Sequence, residues 1–451
     1  MGSLFRLALA KLSNQRGQIT TYGLVCASLV LLGLYRVVFN LVILGRGHEE
    51  ALADVIFQFS YISIVTIFGA AGASAVYQRL TGEALARGES RVAVTAFWKG
   101  LIWCVSAPVI LDGVIKWVAP FFGANLSFPE SIPFLLAGGL YNFVKPLCFT
   151  FSKHRRYAVF EIGSILLSFL VLLLVRTESV LLNLSILFAP QAVVGIFGLF
   201  SLTQKITLGD FFRYPELSYK STFSRVFWAT LGVSSSMGLV FLLNLLGHSS
   251  LSAIEYSVYG TLLSMLAALN LFNRSLGLIL LPTFTKVKSK EGQDASVQLL
   301  GKAFFWISLG ALPIWFVLGA IPMVAQSILD AEIPDRIFSA SLILILYSFV
   351  LLILSPLVNF NLGAGNFRTP QQGSIAGALL ALLFTAITFP EWGTLSLATA
   401  LLIAGSTNYV VNSVELIRRR HLKARELALS FSGQLVSIAS YAAVALVFAT
   451  R

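Results

Sequence analysis

The chain is 451 residues long, 57% of them hydrophobic and only 12% charged, with 32 Lys and Arg against 20 Asp and Glu. A soluble globular core does not need so many long apolar runs, and the net charge of +12 falls in short loops beside them. Those cations answer to anionic lipid headgroups and to insertion topology, not to nucleic acid.

A helix crossing the hydrocarbon core of roughly 30 Å needs about 20 apolar residues, because lipid offers the backbone no hydrogen-bond partners. Thirteen segments meet that demand: 20–44, 54–77, 94–118, 130–152, 157–176, 179–202, 224–246, 254–281, 297–319, 337–360, 371–389, 394–416 and 428–449. The stretch from Met1 to Gly17 is expected to be an amphipathic cytoplasmic lead-in rather than a cleavable signal. Cations then alternate sides. Arg79, Arg87 and Arg91 follow span 2, and Lys153, Arg155 and Arg156 follow span 4. Lys286, Lys288 and Lys290 follow span 8, and Arg418, Arg419 and Arg420 follow span 12. The opposite loops are acidic, with Glu49, Glu50, Glu130, Asp330, Glu332 and Asp335. The positive-inside rule therefore predicts a cytoplasmic N-terminus and an external C-terminus.

Motifs for chemistry are missing. There is no GxxxxGK[ST], HExxH or GxSxG, and no soluble segment long enough to carry a catalytic site. Cys26, Cys104 and Cys148 lie inside spans without a CxxC or a nearby His, so no disulfide frame, metal or other cofactor is expected. Transport, not enzymatic turnover, is the expectation.

The first external turn reads Asn40-Leu-Val-Ile-Leu-Gly-Arg-Gly-His48 before Asp54, and the fourth reads Asn244-Leu-Leu-Gly-His248 before Glu255. Basic loops repeat in the same order. Six spans per half make the repeats parallel. The expected fold is all-α and polytopic, with two parallel six-helix lobes around a central cleft and one extra C-terminal helix. The divisions are 1–19 (cytoplasmic lead-in), 20–202 (N-lobe), 203–223 (inter-lobe loop), 224–416 (C-lobe) and 417–451 (basic loop and span 13).

The Leu-Gly-x-x-His-Glu-Glu turn after span 1 resembles the corresponding turn of polysaccharide flippases in the multidrug/oligosaccharidyl-lipid/polysaccharide (MOP) superfamily. Gly69-Ala-Ala-Gly72-Ala-Ser-Ala-Val-Tyr77-Gln-Arg79, Lys153-His154-Arg155-Arg156-Tyr157 and Leu280-Leu281-Pro282 are similar too. The resemblance implies translocation of an undecaprenyl-pyrophosphate-linked oligosaccharide for O-antigen, capsule, exopolysaccharide or peptidoglycan. It also implies partners: the lipid-linked oligosaccharide, membrane lipids, and a glycan polymerase with its assembly proteins.

Charges at membrane depth are costly and mark candidate sites. Arg36, Lys145 and Arg274 are the interior cations, and the resemblance implies that Arg36 and Arg274 grip the pyrophosphate. Tyr35, Asn40, Asn142, Asn270 and Asn273 accompany them as candidate substrate-binding residues. Asp112 and Glu161 are candidate coupling residues. The plainer readings pair Asp112 with Lys116 and place Glu161 at a helix N-terminus. Tyr61, Tyr141, Tyr256, Tyr259 and Tyr347 fit an aromatic belt or rings on which sugars stack, and Asn359 and Asn361, like Asn142, Asn270 and Asn273, fit hydrogen bonds to sugar hydroxyls or interhelical ties. Span 1 has no acid, whereas a cation-coupled drug exporter would carry one there. A non-transporting scaffold would tolerate loss of both arginines.

Overall fold

The computed structural model describes residues 24, 27–28, 31–122, 130–151, 153–203, 219–248, 250–264, 280, 284, 287–288, 291–292, 294–304, 335–363, 366 and 368–418. Every regular element among them is helical. In chain order these are α1 (Leu31–Leu44), α2 (Glu49–Thr66), α3 (Gly72–Ala86), α4 (Ser90–Val118) and α5 (Ser131–Thr150). Then come α6 (His154–Leu174), α7 (Val180–Thr203), α8 (Tyr219–Val233) and α9 (Leu239–His248). The last three are α10 (Asp335–Gly363), α11 (Arg368–Trp392) and α12 (Thr394–Arg418). Residues 253–264 and 294–304 are also helical, at the starts of the expected spans 8 and 9. Expected span 13 lies outside the described residues, as do Asn270, Asn273 and Arg274.

Among the described residues, eight helices are long and apolar enough to cross a membrane. Their outward faces are apolar: Leu174 is 74% exposed and Ile387 70%. Such surface is stable only against lipid, so the chain is a multi-pass membrane protein. Two of the spans are interrupted. A π turn at Ile67–Ala71 joins α2 to α3, and another at Ser234–Gly238 joins α8 to α9. Each adds a residue to the helical ladder, a local cost that usually has a functional reason. The turn between α1 and α2 closes on Gly47 at φ 74°, a left-handed conformation that a side chain would strain.

The chain divides into two compact units. One takes the described residues up to Tyr35 together with Val65–Thr230; the other takes Arg36–Ile64 and the described residues from Leu231 onward. The polypeptide therefore changes unit inside α1, inside α2 and inside α8.

In the first unit, small residues let backbones touch. A methyl group on Gly139 would lie 2.2 Å from the Cys104 carbonyl oxygen, and one on Gly72 would lie 2.1 Å from Thr230 Oγ1. Helices in lipid gain from this proximity because dispersion, not water exclusion, holds them together. Prolines inside these helices also leave carbonyls to satisfy. Pro146 removes the N–H that Asn142 O would bind, and Ser74 Oγ donates to that oxygen instead at 2.7 Å. Pro190 does the same to Ile186 O, which Tyr35 OH caps at 2.8 Å.

In the second unit, α10, α11 and α12 are tied by amides. Asn361 Nδ2 donates to Asn412 Oδ1 at 2.8 Å, and Asn412 Nδ2 to Asn408 Oδ1 at 2.8 Å. Asn408 Nδ2 continues the chain to Ser374 Oγ at 3.0 Å. Gly373 makes room for it, since a methyl there would lie 2.4 Å from Asn408 Oδ1.

Candidate functional site

The strongest concentration of buried charge is in the first unit, on α5 and α6. Lys145 Nζ lies 3.3 Å from Glu161 Oε1, with side chains 18% and 1% exposed. Tyr141, one turn before Lys145, connects them. The ammonium donates to its hydroxyl at 2.7 Å, and that hydroxyl donates to Glu161 Oε1 at 2.5 Å. Tyr157, one turn before Glu161, donates to the same oxygen at 2.9 Å. The ammonium also sits 4.9 Å from the Tyr141 ring centroid and 5.7 Å from that of Tyr157. Cation–π attraction therefore adds to the ion pair in a site with little solvent. Three donors converge on Oε1. Oε2 is buried and, apart from the Ser28 hydroxyl that approaches the carboxylate, has no donor among the described residues.

This geometry replaces the plainer sequence reading of Glu161. Its carboxylate is not spent on the start of α6 at His154; it belongs to a cross-helix ion pair. Lys145 likewise does not reach back towards Lys153, whose ammonium is engaged by Ser201. The tyrosines are not a surface belt either. Tyr61, Tyr141, Tyr256, Tyr259 and Tyr347 are all buried, Tyr259 completely.

Arg36 and Asn40 lie one turn apart on α1 in the second unit. The Arg36 guanidinium is half-buried, 4.7 Å from the Phe59 ring centroid on α2. Cation–π attraction favours this placement of the planar group. Asn40 Nδ2 donates to Ser264 Oγ at 3.1 Å. The equivalent asparagine of the second repeat, Asn244, donates to Ser60 Oγ at 2.6 Å. The repeat motif noted in the two external turns therefore places two asparagines in matching serine contacts. Near them, His248 Nε2 lies 3.5 Å from Asp54 Oδ1, with its ring 4.3 Å from that of Phe57.

The other sequence candidates take structural positions. Tyr35 spends its hydroxyl on the Ile186 carbonyl, and Asn142 offers its backbone oxygen to Ser74. Asp112 Oδ2 receives Lys116 Nζ at 2.9 Å and Ser131 Oγ at 2.9 Å, binding α4 to the first residue of α5. Sequence reasoning missed Tyr157 and Ser28. The i, i+4 spacing of Tyr157 and Glu161 was the available signal for the first; nothing marked the second.

No protein-family model and no curated protein sequence matches the chain. Solved structures do. A lipid II flippase, MurJ, in an inward closed conformation superposes with a TM-score of 0.62 at 15% identity, over 94% of this chain and 92% of that one. A eukaryotic MATE transporter gives 0.60 at 12% identity, over 93% and 98%. An inward-facing multidrug resistance MATE family transporter of the MOP superfamily gives 0.59 at 16%, over 94% of each chain. At such identities the shared property is the fold, an all-helical architecture.

Proposed function

We propose that the protein is a flippase that moves an undecaprenyl-pyrophosphate-linked oligosaccharide from the cytoplasmic to the external leaflet by alternating access. The observation that supports this reading is Arg36. It is a half-buried guanidinium beside the Phe59 ring, inside a span that contains no acid, and a guanidinium's forked donors match phosphate oxygens. Arg274, in expected span 8, is the second arginine that the family resemblance puts on the pyrophosphate. The N-terminus is cytoplasmic in this reading, so cargo loads on the basic-loop side.

A second reading, export of cationic drugs, is favoured by one observation: Glu161 is a fully buried acid, as a cation carrier needs. The two part in one assay. Purified protein in proteoliposomes is given a fluorescent prenyl-pyrophosphate-linked glycan or a cationic dye, and appearance in the opposite leaflet or lumen is followed. Movement of the glycan lipid and not the dye supports the flippase; dye alone overturns it.

A further inference from the structure

We propose that Lys145 exchanges Glu161 for the anionic headgroup of the cargo, and that Glu161 takes up a proton on Oε2 as the ammonium leaves. Proton uptake and binding of a pyrophosphate are thereby linked. This inference rests on the anionic cargo proposed above.

The geometry carries it in three steps. First, the contacts are unequal. Glu161 is nearly without exposure, whereas the Lys145 side chain keeps 18%, so the ammonium is the partner with somewhere to go. Second, the proton has a place. Tyr141 and Tyr157 both donate to Oε1, whereas Oε2 is buried and accepts no hydrogen bond among the described residues, the Ser28 hydroxyl lying near the carboxylate. A proton on Oε2 leaves both tyrosine bonds to Oε1 intact, while the departing ammonium gives up its 3.3 Å contact with Oε1 and its 2.7 Å bond to the Tyr141 hydroxyl. Third, the charge must be balanced. A buried carboxylate whose counter-charge departs is costly, and protonation removes the charge outright. A dianionic headgroup then faces Lys145 without an opposing carboxylate behind it.

Among the described residues, no other group near the carboxylate supplies the balance. From α6 the carboxylate is faced by Tyr157, from α5 by Tyr141 and Lys145, and from the residues before α1 by Ser28. Helix α7, packed along α6, has no ionisable side chain between Val180 and Thr203. Lys153 is engaged by Ser201, and Arg155 and Arg156 are exposed at the start of α6.

Linkage fixes the sign. The loaded state binds one proton more than the free state, so affinity for the anion rises as pH falls, by at most about tenfold per pH unit. The test is titration calorimetry of the purified full-length protein with farnesyl pyrophosphate, in buffers of different ionisation enthalpy. Wild type is expected to take up about one proton more per headgroup than Glu161→Gln, a difference that subtracts the probe's own ionisation. If Glu161→Gln cannot be purified folded, wild-type affinity measured across pH decides instead: an affinity that does not rise as pH falls, once the probe's own ionisation is subtracted, overturns the inference. Equal proton uptake in wild type and variant, with binding intact, overturns this inference and leaves the anionic-cargo reading standing. No binding at any pH overturns both.

Discussion

Breaking the Lys145–Glu161 pair from one side should cost far more than removing it whole. Lys145→Met keeps the length of the side chain but strands a carboxylate that is 1% exposed. Buried pairs broken in this way lose about 3–5 kcal/mol. Glu161→Gln is predicted to cost less, because Lys145 keeps 18% of its exposure and the amide oxygen still accepts from Tyr141 and Tyr157. The double variant Lys145→Met/Glu161→Gln has no charge to strand and should return to within about 1–2 kcal/mol of wild type. Urea or SDS unfolding of the purified protein, followed by tryptophan fluorescence, reads all four corners of the cycle. Additive losses, with the double variant the worst, would refute the reasoning. They would mean that each side chain is solvated independently and that the 3.3 Å contact carries no energy.

Three further outcomes follow from the same geometry. Gly139→Leu and Gly72→Val should each lower folded protein in the membrane, since even a methyl would lie 2.2 Å and 2.1 Å from neighbouring oxygens; overpacking typically costs about 1–3 kcal/mol. Membrane yield by in-gel fluorescence checks this, and normal yield would show that the helices separate easily. Cys104 and Cys148 are buried free thiols, so maleimide should leave both unlabelled in native membranes and react with them after SDS. Single cysteines placed at Gly47 and Gly88 should label from opposite sides of the membrane, the first from outside. Labelling of both from one side would contradict the positive-inside orientation.

The spans were legible because lipid imposes one rule on every residue: apolar outside and every backbone bond satisfied within the helix. Helices α4, α7, α11 and α12 fall where apolar length placed them; α4, α11 and α12 run a few residues past the expected span, and α7 is shifted by a single residue. The π turns in the second and seventh spans were not legible, since Ile67–Ala71 and Ser234–Gly238 read as ordinary helix. Proline marks were half legible. Pro146 and Pro190 announce that the carbonyls four residues earlier are orphaned, but not that Ser74 and Tyr35 answer them. The tie that Tyr35 makes between α1 and the Ile186 carbonyl was therefore not readable from its position in the span. Lys145 and Glu161 flank one short turn at similar depths, so their pairing could have been read from hairpin geometry; treating each charge alone hid it. The place where α1 passes from one unit to the other, between Tyr35 and Arg36, has no sequence mark at all.

The central claim is that interior arginines grip an anionic lipid-linked cargo, and its most direct test is genetic. Arg36→Ala and Arg274→Ala, singly and together, are placed in a strain whose surface polysaccharide depends on this gene, with membrane protein levels checked. The account predicts loss of surface glycan and accumulation of lipid-linked oligosaccharide on the cytoplasmic side, most severe in the double variant. Normal surface glycan at normal protein level would contradict it, and the arginines would then be structural.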